Sequence, residues 1–358
     1  MSLNCGIVGL PNVGKSTIFS ALSGASVDSA NYPFCTIEPN VGVVNVPDER
    51  LDKIASLIPA KKVIPAITQF VDIAGLVAGA SKGEGLGNKF LANIREVGVI
   101  AHVVRCFENP NIVHVNNKID PMSDIATTNT ELALSDLETI QRRYEKQAKI
   151  ARTNKETKFI SVYEKAMDML EHDKRLITLN EEEKDILSDL HLLTVKPVIY
   201  VCNVDEVESE NDYVKQVKEF AQTENAEVIV ISGKNEAELA LLDEKDRQEL
   251  RQALNLKESG LVSLIKTAYK TLGLMTFFTV GSDEDRAWTF KAGSKAPQTA
   301  GIIHTDFEKG FIRAEVYGYD DLVKYGTEQK VKEAGKLRLE GKDYTVQDGD
   351  IIHFRFNV

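Results

Sequence analysis

The stretch that decides the fold reads Gly9-Leu10-Pro11-Asn12-Val13-Gly14-Lys15-Ser16. It matches GxxxxGK(S/T), and its setting is the one the motif requires. An apolar run, Leu3 to Val8, stops at Gly9, and a helical pattern of Ile18, Phe19, Ala21 and Leu22 follows and closes at Gly24. Strand, loop and helix in that order make a phosphate cradle. The glycines let backbone N–H groups turn towards phosphate oxygens, and the helix starting near Lys15 adds its positive end. Lys15 reaches the β and γ oxygens, Ser16 offers a hydroxyl to magnesium, and Asn12, Val13, Gly14 and Thr17 complete the nucleotide-facing loop.

Working outward, apolar runs at Ile67 to Ile73, Val99 to Cys106, Val198 to Cys202 and Val228 to Ile231 are continuous, not alternating. Parallel strands buried on both faces read this way, so the core is α/β. From Thr130 to Leu193 the chain becomes highly charged and poor in Gly and Pro. Ile160, Tyr163, Met167 and Leu170 fall at helical spacing, which predicts an amphipathic helical hairpin inserted at about 128–194. A brace for the fold and a partner-binding arm both fit it. From Thr276 onward short β-rich segments separated by turns such as Asp348-Gly349-Asp350 predict a small α+β module, so the chain divides into 1–275 and 276–358.

Composition excludes whole classes. The 54 acidic and 43 basic side chains leave a formal charge of -11, which argues against coating nucleic acid by bulk electrostatics. Asn4 and Gly6 break the first apolar run and Lys15 follows it, so no cleavable signal is expected. Gln69 and Asp72 interrupt the longest later candidate for a membrane span. Cys5, Cys35, Cys106 and Cys202 are scattered without a CxxC pair, as in a reducing compartment, and a cytoplasmic location is expected.

Partners for the phosphate loop appear in order. Thr36, in Asn31-Tyr32-Pro33-Phe34-Cys35-Thr36, can bring a hydroxyl to magnesium and an N–H to the γ-phosphate. Asp72, leaving the strand Gln69-Phe70-Val71, can hold magnesium through water, and Gly75 can approach the γ-phosphate with its N–H. Together they predict a switch-type NTPase. A GxSxG string, Gly79-Ala80-Ser81-Lys82-Gly83, sits inside a longer glycine run after Asp72 and is read as switch loop, not as a nucleophile elbow.

For the base, the literal NKxD at Asn117-Lys118-Ile119-Asp120 follows a polar stretch with no strong strand, and it is rejected. Asn203-Val204-Asp205-Glu206 instead caps the strand Val198-Ile199-Tyr200-Val201, and Ser232-Gly233-Lys234 follows after another strand. The base should bind Asn203, Val204, Glu206, Ser232 and Gly233. A glutamate in place of the NKxD aspartate sits about one methylene too far out to accept guanine's N1–H and N2 amine together. Adenine's N6 amine can donate to Asn203 or to a carbonyl near Val204, so ATP is expected over GTP. A conventional GTPase rests only on the rejected tetrapeptide.

The combination of Pro11 to Thr17, Asn31 to Asn40, Asp72-Ile73-Ala74-Gly75-Leu76 with its glycines through Gly87, Asn203 to Glu206 and Gln347-Asp348-Gly349-Asp350 resembles the YchF or Obg-like ATPase family over essentially the whole chain. The resemblance implies an Obg-type G domain binding ATP at least as well as GTP, a coiled-coil insertion and a C-terminal ubiquitin-like β-grasp (TGS) domain. It also implies association with ribosomes and a magnesium-dependent, potassium-stimulated ATPase. Leu76 stands where a water-orienting Gln is familiar, so slow basal turnover is expected. The resemblance gives water positioning to a loop histidine, matching His114, and potassium coordination to the residue matching Asn12. For Asn12 simple tolerance of a turn conformation stays open, and the other histidines read as packing or surface residues. A nucleotide-dependent, non-catalytic scaffold is the competing function. RNA contact in a cleft between the helical and TGS domains would need Lys61, Lys62, Arg142, Arg143, Lys291 and Lys295 to converge.

Overall fold

The computed structural model describes residues 3–24, 40–73, 86–114, 118–154, 158–206, 211–253 and 258–357. The predicted Thr36 and Gly75 therefore lie outside the described residues, as do Leu76 and Cys35. The strands are β1 (Asn4–Val8), β2 (Val41–Asn45), β3 (Lys62–Ile64), β4 (Ile67–Asp72), β5 (Val99–Arg105), β6 (Val198–Asn203), β7 (Glu227–Ile231), β8 (Leu274–Thr279), β9 (Glu284–Lys291), β10 (Phe311–Gly318), β11 (Arg338–Glu340) and β12 (Asp350–Phe356).

One sheet runs β2-β4-β1-β5-β6-β7, with β1, β5, β6 and β7 parallel. Every residue of β5 and β6 is buried, as their continuous apolar runs require, whereas β7 at the sheet edge is largely half-buried. The strand order reverses between β1 and β5, and in open α/β sheets ligands bind beyond the carboxyl ends of strands at such a switch point. The phosphate loop leaves β1 there and enters helix α1 (Lys15–Gly24).

The hairpin begins earlier than the sequence suggests. Pro121 sits at the first turn of its long helix (Pro121–Asn154), a position where a missing N–H costs nothing. Asp120 accepts the Ser123 N–H at 3.1 Å and so serves as a helix cap. The returning helix (Lys158–Glu171) packs on the first through Ile140, Val162, Tyr163, Ala166 and Leu170. Asp136 fastens the far end of the excursion, accepting the backbone N–H groups of Leu193 and Thr194 at 2.7 to 2.9 Å.

The second sheet runs β11-β10-β12-β8-β9-β3. β8 and β12, the first and last strands of the C-terminal module, are parallel neighbours at its centre, flanked by antiparallel β9 and β10. That is β-grasp order. Among the described residues, the compact unit containing this sheet comprises 43–69 and 265–357. The physical reasons are specific: β3 pairs in parallel with β9, and Arg50 donates to Asp348 at 2.7 Å. Asp348 in turn accepts the Thr276 N–H at 2.8 Å, which gives the Gln347-Asp348-Gly349-Asp350 turn its structural task.

Candidate nucleotide site

The phosphate loop is held open by two residues with positive φ, Asn12 at 65° and Gly14 at 94°. Asparagine tolerates this left-handed backbone, and glycine is required at the second position. A Cβ on Gly14 would lie 2.0 Å from the Asn203 amide nitrogen. The Gly14 carbonyl accepts the Ile18 N–H at 3.1 Å and opens α1. Lys15, although charged, is buried, and its ammonium pairs with the Asp72 carboxylate. The lysine meant for phosphate and the carboxylate meant for magnesium are thus brought together. A cavity of about 570 Å³ is lined by Leu10 to Asn12, Gly14 to Thr17 and Asp72.

A second cavity of about 570 Å³ shares Asn12, Gly14 and Thr17 with the first and extends along Asn203, Val204, Asp205 and Lys234. Asn203 fastens the two sides of this region. Its amide nitrogen donates to the Val13 carbonyl and its amide oxygen accepts the Gly233 N–H, both at 2.9 Å, with the residue almost wholly buried. Ser232 donates to the Asp205 carbonyl at 2.9 Å and accepts the Asn235 N–H, capping the helix Gly233–Ala240. Among the described lining residues the carboxylates are those of Asp205 and Glu238; Asp205 and Glu206, the residue expected from the sequence, are both solvent-exposed.

The outer wall was missed by sequence reasoning. Phe107, Asn109 and Ile112 line the second cavity on an arch that follows β5. Arg105, fully buried at the end of β5, donates to the carbonyls of Phe107, Asn109 and Ile112 at 3.0 to 3.2 Å and lies over the Phe107 ring. Burial lowers its pKa, opposed by the charges of Asp205 and Asp124. A lone arginine inside the run Val99 to Cys106 was the available signal. Asn12 extends the arch's fastening by donating to the Val113 carbonyl at 3.1 Å. His114 comes next, and its Nε2 lies 3.0 Å from Asp124 Oδ2, with both side chains buried. Desolvation raises the Asp124 pKa, and His114 opposes that rise.

Among the described residues no group of three or more His, Cys, Asp or Glu side chains gathers to hold a metal. Magnesium does not need one. It takes one or two hard oxygen donors and completes its shell with water and phosphate, and Ser16 and Asp72 at the phosphate cavity are donors of that kind. His102, expected as packing, is buried with its Nε2 3.2 Å from Thr128 Oγ1. Cys5, Cys106 and Cys202 are buried free thiols.

Residues 274–357 match the family model YchF-GTPase_C, described as "Protein of unknown function (DUF933)", and residues 4–165 match a model described as "50S ribosome-binding GTPase". The chain is 54% identical over 366 residues to a Bacillus subtilis protein named ribosome-binding ATPase YchF, with the whole of both chains covered. Like-named proteins of Haemophilus influenzae and Escherichia coli O157:H7 are 54% and 52% identical, again over the whole of both chains. The solved structure of the Schizosaccharomyces pombe YchF GTPase superimposes with a TM-score of 0.89 at 39% identity, over 99% of this chain and 98% of that one. With the phosphate loop, the strand order and the β-grasp module all in place, the chain belongs to the YchF family.

Proposed function

We propose that this chain is a cytoplasmic, ATP-hydrolysing switch that associates with ribosomes. The observation that carries the reading is the Asn203 bridge, which joins the cavity beside the base motif to the phosphate loop. The relatives' name, ribosome-binding ATPase, agrees with it. Among the described residues no helix is long and apolar enough to cross a membrane.

In this reading Lys15 holds the β and γ oxygens, with the N–H groups of Val13 to Thr17 around them. Ser16, Thr36 and Asp72 would hold magnesium, which would supply positive charge to the phosphate oxygens. Gly75 donates its N–H to the γ-phosphate. His114 orients the water that attacks phosphorus, and the products are ADP and phosphate. Asn12 would offer its side-chain oxygen to potassium, whose charge would stimulate turnover. The base meets Asn203, Val204, Glu206, Ser232 and Gly233, with the arch opposite. The domain assignment is an Obg-type G domain (1–275), interrupted by a coiled-coil insertion (128–194), and a TGS domain (276–358).

ATP is preferred to GTP because the carboxylates after Asn203 do not reproduce the NKxD geometry. Titration with both nucleotides tests this: ATP should bind more tightly, and a tighter complex with GTP would overturn it. A second reading, a nucleotide-dependent scaffold for RNA or protein, draws support from the burial of His114 against Asp124. Single-turnover ATPase rates with and without ribosomes separate the two, since a scaffold shows no acceleration.

A further inference from the structure

The arch from Phe107 to His114 is not merely a wall. It is fastened by Arg105 at the carbonyls of Phe107, Asn109 and Ile112, by Asn12 at the Val113 carbonyl and by Asp124 at the His114 ring. The histidine assigned to water positioning is therefore docked away from solvent, its side chain 3% exposed against a carboxylate 2% exposed. Asp124 uses one oxygen for this contact, and its other oxygen, Oδ1, is buried and has no hydrogen-bond partner among the described residues. A buried carboxylate with half of its accepting capacity unmet is costly. Capping of the long hairpin helix is already done by Asp120, so Asp124, in its first turn, is free to face inward, where its charge acts on both buried Arg105 and His114.

We propose that Asp124 is a positioning residue that holds His114 withdrawn, and that hydrolysis requires this contact to part. The proposal rests on the reading of His114 as the water-positioning group. The buried, unmet oxygen of Asp124 raises the free energy of the docked state, and a ligand that binds the parted state better shifts the equilibrium towards it. The Asn12 contact says where such a force arises. Asn12 belongs to the phosphate loop and holds the residue next to His114, so a rearrangement of the loop around bound nucleotide bears directly on the docked ring. The helix carrying Asp124 is also the first helix of the hairpin, so a partner that bends the hairpin acts on the same contact from the other side.

The test uses the full-length chain and four proteins: parent, Asp124→Asn, His114→Ala and the double variant. Asp124→Asn keeps shape but removes the charge. It should raise ribosome-independent kcat about fivefold while leaving ATP Kd unchanged, as expected when the competent fraction of a minor state rises. The double variant should fall back to the rate of His114→Ala. Asp124→Ala, which removes the acceptor altogether, should give the same direction, and thermal melts report whether each variant is folded. A folded Asp124→Asn protein with a rate at or below the parent's, alongside an impaired His114→Ala, would overturn the latch and leave the role of His114 standing. A His114→Ala protein with parental basal and ribosome-stimulated rates would overturn the role of His114 and the latch with it. A purely structural role for Asp124 predicts lower stability with no gain in kcat and no dependence on His114.

Discussion

Replacing Asn203 by alanine removes the two-ended bridge. Its amide nitrogen and oxygen meet the Val13 carbonyl and the Gly233 N–H at 2.9 Å each, with the side chain almost wholly buried. Both backbone partners are left without their bonds, at about 1–3 kcal/mol for each buried group left unsatisfied. The cavity alongside gives water some access, so the low end applies and the total is about 2–4 kcal/mol. For a unit of this size each kcal/mol lowers Tm by about 2–4 °C, so a fall of about 4–16 °C is expected. If half of the loss also appears in binding, ATP affinity drops about 5- to 30-fold. Isothermal titration with ATP and a thermal melt read the two effects separately. Asn203→Asp sharpens the test: one oxygen still accepts from Gly233, but the other then faces the Val13 carbonyl with no proton between them. It should be as damaging as alanine. If Asn203→Ala melted with the parent and bound ATP within about twofold of it, the bridge would not be what assembles the site.

Gly14→Ala imposes a Cβ on a backbone with φ of 94° and places it 2.0 Å from the Asn203 nitrogen. ATP binding should be lost beyond tenfold, about 1.4 kcal/mol or more, as read by titration. His102 supplies a pH dependence, because desolvation first, and then the charge of Arg175, pushes its pKa down from 6.5 to about 3. The unfolded chain takes up this proton below 6.5 and the folded chain does not. The contribution is therefore intact above 6.5 and lost as pH falls towards 3, at about 1.4 kcal/mol per pH unit at most. His102→Gln should flatten the slope of denaturant midpoint against pH across that window, and an unchanged slope would refute the assignment.

What was legible in the sequence was what is local. The phosphate loop sits between its own strand and helix, and the all-buried runs of β5 and β6 announce central parallel strands because neither face meets water. Asn203 was legible from its place at the end of β6, but its bridging role was not. Both ends of its amide are engaged by backbone of the loops on either side. The reason is that bridging is set by which loops the sheet order brings together, and spacing along the chain does not record it. β3 was invisible for a similar reason: three residues, Lys62-Val63-Ile64, have no alternation to detect, and only pairing with β9 makes them a strand. The hairpin's apolar spacing showed its helices but not its start, since Pro121 reads as a breaker unless it is known to lie in a first turn.

Adjacent residues of the phosphate loop face opposite ways in this network. Asn12 reaches the arch that carries His114, and the carbonyl of Val13 receives the bridge from the base side. Movement of the loop is thus passed to both. The size of that coupling is bounded by the bonds that carry it. A neutral hydrogen bond contributes about 0.5–1.5 kcal/mol net, and of the two only the Asn12 bond reaches the arch. Carrying a two-state element from about 1:99 to 99:1 takes about 5.5 kcal/mol. Nucleotide acting through Asn12 alone therefore biases His114 without throwing it over. The remainder must come from groups that bind one state better, and the hairpin helix bearing Asp124 is where a large partner can supply it. On the proposed reading, slow turnover alone and faster turnover on the ribosome are the outcomes this arithmetic predicts.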